Sequence, residues 1–226
     1  MKIRQLHSWQ LNTREARDIQ LDLADKVLVT SNLPDIRYIA GVDVSGISRD
    51  TGRAAIVILS YPELRIVELR TKEGDYTFPY VPGLLSFREA PLLLSTFEEI
   101  RTVPDLVFVD GQGIAHPRRM GIGAHLGLIL DLPTIGCAKS RLCGTFDPVP
   151  VKPGSYSRLM EGNEQIGAVL RTKKSVKPVF VSVGHRINLD NAVSWTMQCC
   201  RGLRLPEPCR LAHMASVGSD AISHYL

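Results

Sequence analysis

Leu106-Val107-Phe108-Val109-Asp110-Gly111-Gln112-Gly113 is the stretch on which the fold turns. Four consecutive apolar residues, bounded by Asp105 and Asp110, predict a short strand buried on both faces, of the kind found in the middle of a sheet. The strand stops at a carboxylate followed by two glycines. In open α/β sheets the carboxyl ends of the strands are where ligands bind, so Asp110 marks that end as a place to look for chemistry. The glycines invite a dinucleotide reading, but His116 stands where a third glycine is needed and Pro117 interrupts the helix start, so that reading fails. Gly111 and Gly113 are instead expected to let a flat ligand approach bare backbone beside Asp110.

Upstream, Tyr38-Ile39-Ala40-Gly41-Val42-Asp43-Val44 reads as a second inner strand, and Asp43 interrupts it. A lone carboxylate in such a place is costly unless a cation or hydrogen bonds compensate. Two carboxylates at neighbouring strand ends would favour a divalent cation, and oxygen ligands suit Mg²⁺ or Mn²⁺. The alternative is that Asp43 faces solvent and Asp110 only starts a turn. Ala54–Leu59 and Leu64–Arg70 read as two further strands joined through Tyr61-Pro62-Glu63, giving an antiparallel meander. Thr13 is placed as the cap of a first helix with Ala16, Ile19, Leu23 and Val27 on one face. Ser86-Phe87-Arg88-Glu89 has the form of a capping box before a helix reaching about Arg101, which by itself accounts for Glu89. Met120–Leu130 predicts a helix, Thr134–Ala138 and Pro178–Val183 strands, and Leu189–Cys200 and Arg210–Ser216 the closing helices. Pro148–Gly167 is expected to be a long excursion. His213 falls on the last helix, where a satisfied half-buried histidine is the common outcome.

Composition narrows the class. The chain has 226 residues, 44% hydrophobic and 22% charged, which excludes disordered, collagenous and coiled-coil chains and predicts one domain over residues 1–226. Twenty-seven basic against 23 acidic residues permit a polyanionic partner without demanding one. Aromatics at 6% argue against a general single-strand binder built from many stacking platforms. His116-Pro117-Arg118-Arg119 and Lys139-Ser140-Arg141 are candidates for phosphate contacts, with solvated charge at loop ends as the alternative. There is no apolar leader or membrane-length segment, and the five cysteines, odd in number and without a Cys-x-x-Cys pair, read as reduced thiols of a cytoplasmic protein. Phe78-Pro79-Tyr80-Val81-Pro82-Gly83 holds an aromatic residue between two prolines. A rigid exposed tyrosine serves for stacking on bases or wedging between them; the alternative is that Tyr80 packs back onto the core.

Taken together, Gly41-Val42-Asp43-Val44, the run from Pro79 to Glu89, the run from Phe108 to Arg119, Pro133–Lys139, Gly184-His185-Arg186 and Leu205-Pro206-Glu207-Pro208 resemble the endonuclease V family of deoxyinosine-directed nucleases. The resemblance implies a ribonuclease-H-like α/β fold, a mixed central sheet flanked by helices. It places the metal-binding carboxylates on Asp43, Glu89 and Asp110, with His213 completing the site and Lys139 and His116 supporting the scissile phosphate or its surroundings. It implies a strand-separating wedge at Pro79, Tyr80, Val81 and Pro82, and a base pocket formed by Leu85, Gly111, Gly113, His116, Gly121 and Leu142. The implied activity is Mg²⁺-assisted hydrolysis, with Mn²⁺ substituting, of the second phosphodiester 3′ to deoxyinosine in DNA, leaving a 3′-hydroxyl and a 5′-phosphate. Inosine-containing RNA is the alternative substrate, no membrane is involved, and a monomer is the default expectation.

Overall fold

The computed structural model describes Met1 and residues 3–225. In chain order the elements are α1 (Thr13–Ala24), β1 (Tyr38–Gly46), β2 (Thr51–Ser60), β3 (Ile66–Asp75), α2 (Leu85–Phe97), β4 (Leu106–Val109), α3 (Ile122–Leu130), β5 (Thr134–Ala138), β6 (Tyr156–Glu161), β7 (Glu164–Leu170), β8 (Val179–His185), α4 (Leu189–Gln198) and α5 (Glu207–Ser216), followed by a 3₁₀ turn at Asp220–Tyr225. The eight strands form one sheet in the order β3-β2-β1-β4-β5-β8-β7-β6. β1, β4 and β5 run parallel and every other pairing is antiparallel. This is the mixed, helix-flanked, ribonuclease-H-like sheet expected from the sequence, with the four-residue apolar β4 at its centre.

Strand parity sorts the core. Ile39, Ala55, Val57, Leu106 and Phe108 belong to the cluster that includes Cys209, Leu211 and Ala212 of α5, while Ala40, Val42, Ile56, Val107 and Val109 belong to the one that includes Leu93 and Phe97 of α2. Alternate residues therefore bury against opposite helical layers, the period-two rule for a sheet covered on both sides. Asp43 and Asp110 continue the α5-side parity, as 39, 41, 43 and 106, 108, 110. Val42 is paired with Val109, and the Asp110 N–H donates to the Val42 carbonyl at 3.1 Å. The register of two parallel strands thus puts both carboxylates side by side at the same end of the sheet.

Several local expectations change. Asn12, not Thr13, caps α1: its side chain accepts the N–H groups of Arg14 and Glu15, and Glu15 returns a bond to the Asn12 N–H. No side chain caps α2, because the turn at Gly83 (φ +77°) starts the helix at Leu85, one residue before Ser86. The Ser86 hydroxyl is inside the helix and pairs with buried His125 instead. Glu89 is thereby free of capping duty. α2 also ends at Phe97, short of Arg101. The excursion at 148–167 contains most of a hairpin, β6–β7, turning through Gly162-Asn163 and adding two strands to the sheet.

Candidate active site

Asp43 is 9% exposed and accepts two bonds, from Ser216 Oγ at 2.6 Å and from His213 Nδ1 at 2.9 Å, both on α5. α5 comes this close because Gly41 has no side chain: a Cβ there would lie 1.9 Å from the Pro208 carbonyl oxygen. The helix therefore lies on bare strand backbone at its first turn and delivers His213 and Ser216 to Asp43 one to two turns later. Ligand atoms of Asp43, Asp110 and His213 all lie within 4.8 Å of one another. The Lys139 ammonium, following β5, sits 2.5 Å from Asp110 Oδ2.

Glu89 stands outside that 4.8 Å group but within reach of its field. Burial first, then the charges of Asp43 and Asp110, push its carboxyl up to about 8. Asp110 is likewise raised by burial and by Asp43, against the opposing pull of Lys139. Burial and neighbouring negative charge thus raise the proton affinity of Glu89 and Asp110, the mark of a site short of positive charge. Oxygen donors with one imidazole nitrogen beside that surplus of negative charge fit a hard divalent cation such as Mg²⁺ or Mn²⁺.

Beside the carboxylates lies a cavity of about 380 Å³, within the range typical of small-ligand clefts. Asp110 and Lys139 belong to its wall, so the cavity and the acidic group share an edge. Tyr80, Val81, Pro82, Leu85, Gly111, His116, Gly121 and Leu142 all line it, with Tyr80 and Leu142 exposed and His116 buried. Tyr80 is 72% exposed and does not pack onto the core. Pro79 is exposed in the same loop but is outside the wall. Gly113 is also outside it: its N–H donates to Ser182 Oγ at 2.8 Å, so that backbone donor is spent within the protein.

His116 has both ring nitrogens occupied. Nε2 meets the Gly83 carbonyl at 2.9 Å and must donate, so Nδ1 accepts the Arg118 N–H at 3.1 Å. The ring is a neutral, fixed tautomer, and burial holds its pKa down to about 4. Arg119 is bound to both Glu161 and Glu164 and ties its loop to the β6–β7 hairpin, which leaves it paired rather than free for phosphate. Gln20 of α1 and Ser216 of α5 belong to this region and are not among the residues singled out from sequence. Gln20 had a readable signal, being a polar residue on the Ala16–Leu23 face; Ser216 had none.

The chain matches the protein family described as Endonuclease V over residues 21–214. It is 52% identical to an endonuclease V of Dehalococcoides mccartyi over 217 residues, 96% of this chain and 97% of that protein.

The chain belongs to the endonuclease V family.

The crystal structure of the Bacillus subtilis endonuclease V superposes with a TM-score of 0.92 at 30% identity, covering 99% of each chain. A Ciona intestinalis endonuclease V, crystallised with a 24mer DNA containing an inosine followed by a ribo-adenosine, superposes with a TM-score of 0.77 at 27% identity, covering 91% of this chain and 96% of that one. Membership makes this chain a nuclease, and its acidic group matches the metal dependence general to the family. No helix among the described residues is long and apolar enough to cross a membrane, and the five cysteines are free thiols.

Proposed function

We propose that this protein is a DNA repair enzyme that recognises deoxyinosine and hydrolyses the second phosphodiester bond on its 3′ side. The observation that carries the reading is the shared edge: Asp110 belongs both to the acidic group and to the wall of the adjoining cavity, where Lys139 pairs with it. A base held in that cavity would place its own strand next to the carboxylates. The inosine-containing DNA in the Ciona relative supports the choice of base. Hypoxanthine offers an O6 acceptor to backbone donors, and guanine's extra amino group would be excluded by shape.

Asp43, Asp110 and His213, with Glu89 alongside, would hold Mg²⁺, with Mn²⁺ as a substitute. When bound, such an ion activates water and stabilises the leaving 3′-oxygen of a phosphodiester. The residues of the chain supply the remainder. Ser216 fixes one Asp43 oxygen and so the direction of the carboxylate. Lys139 brings a cation to the cavity edge, where it would offset charge developing on the phosphate. Tyr80 on its proline-bounded loop would enter the duplex where the base is withdrawn. The protein would act as a monomeric single domain, residues 1–226, in the cytoplasm, a reducing compartment that its free thiols fit.

The test is Mg²⁺-dependent nicking of matched oligonucleotides with one inosine, as DNA and as RNA, beside undamaged controls. Cutting one nucleotide beyond deoxyinosine, abolished by chelation and by Asp43→Ala, is the expected result. The ribo-adenosine next to inosine in the Ciona complex favours keeping the RNA arm, and stronger cutting there would move the substrate to inosine RNA with the same chemistry. Binding without cutting on either strand would sink the nuclease reading.

A further inference from the structure

The Gly83 carbonyl is the most heavily hydrogen-bonded point of the Tyr80 loop. It accepts from Gln20 Nε2 at 3.0 Å, His116 Nε2 at 2.9 Å and an Arg118 guanidinium nitrogen at 2.8 Å. The three donors also bind one another's frames. Arg118 Nε donates to Gln20 Oε1 at 2.6 Å, the Arg118 N–H donates to the His116 ring, and Gln20 Nε2 reaches a second carbonyl, that of Met120, at 2.8 Å. Met120 and Gly121, just before α3, line the same cavity, and Met120 is fully buried, part of its floor. Gln20 is 1% exposed, so two of its amide's contacts join the loop carrying Tyr80 to the floor of the cavity through a side chain with no access to water.

The loop's other end is pinned as well. Arg88 donates to the Phe78 carbonyl at 2.8 Å and to the Arg49 carbonyl at 2.6 Å, with its guanidinium stacked 3.7 Å from the centre of the Tyr76 ring. Between these two anchored carbonyls, Pro79 and Pro82 restrict φ, and Tyr80 is left exposed. An exposed aromatic side chain on an anchored, proline-bounded backbone suits pushing against stacked bases, because a mobile loop would yield to the stack.

We propose that Gln20, His116 and Arg118 form a clamp on the Gly83 carbonyl that fixes the Tyr80 loop at a set distance from the cavity floor, and that these residues are positioning residues for opening an inosine-containing duplex. The inference rests on the deoxyinosine reading of the same site. It assigns Gln20 and Arg118 a role in substrate opening and gives His116 a structural task as a neutral donor. Because the clamp serves opening, its loss falls on substrates that must be opened and spares those already unstacked.

The experiment compares wild type, Gln20→Met, Arg118→Met and Arg118→Lys on one inosine sequence, as duplex and as single strand, with the melting temperature of each protein measured alongside. A second readout needs no turnover: in EDTA, duplexes carrying 2-aminopurine beside the inosine report unstacking by fluorescence at saturating protein. The expected result is a duplex-to-single-strand ratio of kcat/KM lowered about tenfold in both Met variants, the scale of one to two lost hydrogen bonds. The 2-aminopurine signal should fall in parallel, with Arg118→Lys intermediate because an ammonium cannot hold Gly83 and Gln20 together. Equal losses on both substrates, tracking a lower melting temperature, would mean a merely structural role and overturn the clamp. An unchanged ratio and an unchanged fluorescence signal would overturn it too. A wild-type protein that nicks neither inosine strand overturns the underlying deoxyinosine reading instead, so the two failures are told apart.

Discussion

His213 Nδ1 lies 2.9 Å from Asp43 Oδ2, although 170 positions separate the two residues in the chain. One comes from the last α-helix and the other from the first strand, and the acidic group exists only where those two elements meet.

Replacing either carboxylate of this group should therefore remove cation binding and chemistry together. Asp43→Asn and Asp110→Asn are expected to lower nicking at least about a hundredfold, since a bound cation contributes several kcal/mol to the transition state. Both variants should also lose the upward shift in melting temperature that Mn²⁺ gives the wild type. A variant that kept that shift while losing activity would show that the carboxylate does not bind the ion.

Gly41→Ala tests how that meeting is spaced. The added methyl group would lie 1.9 Å from the Pro208 carbonyl oxygen, a backbone atom that moves only if α5 moves. A loss of about 1–3 kcal/mol in unfolding free energy is expected, as for other overpacked cores. A disproportionate loss of nicking should accompany it, because His213 and Ser216 shift with the helix. Denaturant melts of the two proteins, beside nicking rates, check both parts.

Tyr80→Ala should separate recognition from stability. Tyr80 is 72% exposed, so the melting temperature should stay within about 1 °C of wild type. Affinity for inosine duplex is expected to fall about tenfold or more, the scale of one lost stacking contact. Fluorescence anisotropy in EDTA measures it; unchanged affinity would mean the side chain never meets a base.

Acid should weaken the fold through His116. Its pKa is lowered from 6.5 to about 4, chiefly by burial, so between those values the unfolded chain binds the extra proton and the folded one does not. The contribution is fully present above pH 6.5 and is lost as pH falls toward 4, at up to about 1.4 kcal/mol per pH unit. His125, held at about 3 by burial and the neighbouring His7, acts in the same direction. His116→Gln should lose less stability than wild type between pH 7 and 5 in urea melts. Parallel curves for the two proteins would remove His116 from the account.

What could be read from the residues was what depends on local pattern. The apolar run of β4, the interruption of β1 by Asp43 and the prolines around Tyr80 each carry their meaning within a few positions. The pairing of Asp43 with Asp110 follows from two inner strands that carry acids in or just past their carboxyl halves, but their shared face needs the register of β1 on β4. Ser86 does not cap because the helix already starts at Leu85, and its hydroxyl pairs with His125, 39 positions away, which no local pattern shows. The β6–β7 hairpin is faint in the sequence although Gly162-Asn163 is a turn signal, since the flanking residues mix polar and apolar positions. Gln20 shows locally only as a polar residue on an apolar helix face, because its partners, Gly83, Arg118 and Met120, lie 63 to 100 positions away.

The seating of α5 on the bare backbone of β1 has one more consequence. The donors Asp43 and Asp110 are on the sheet side of that seam and His213 is on the helix side. A cation bridging them would act as a rivet, and detachment of the last helix would have to break it. By linkage, loading the site should slow amide hydrogen exchange along Glu207–Ser216 more than elsewhere, and a chain whose last helix has let go should release its ion. The nuclease would then lose its chemistry whenever the last helix detaches, even with the rest of the sheet intact.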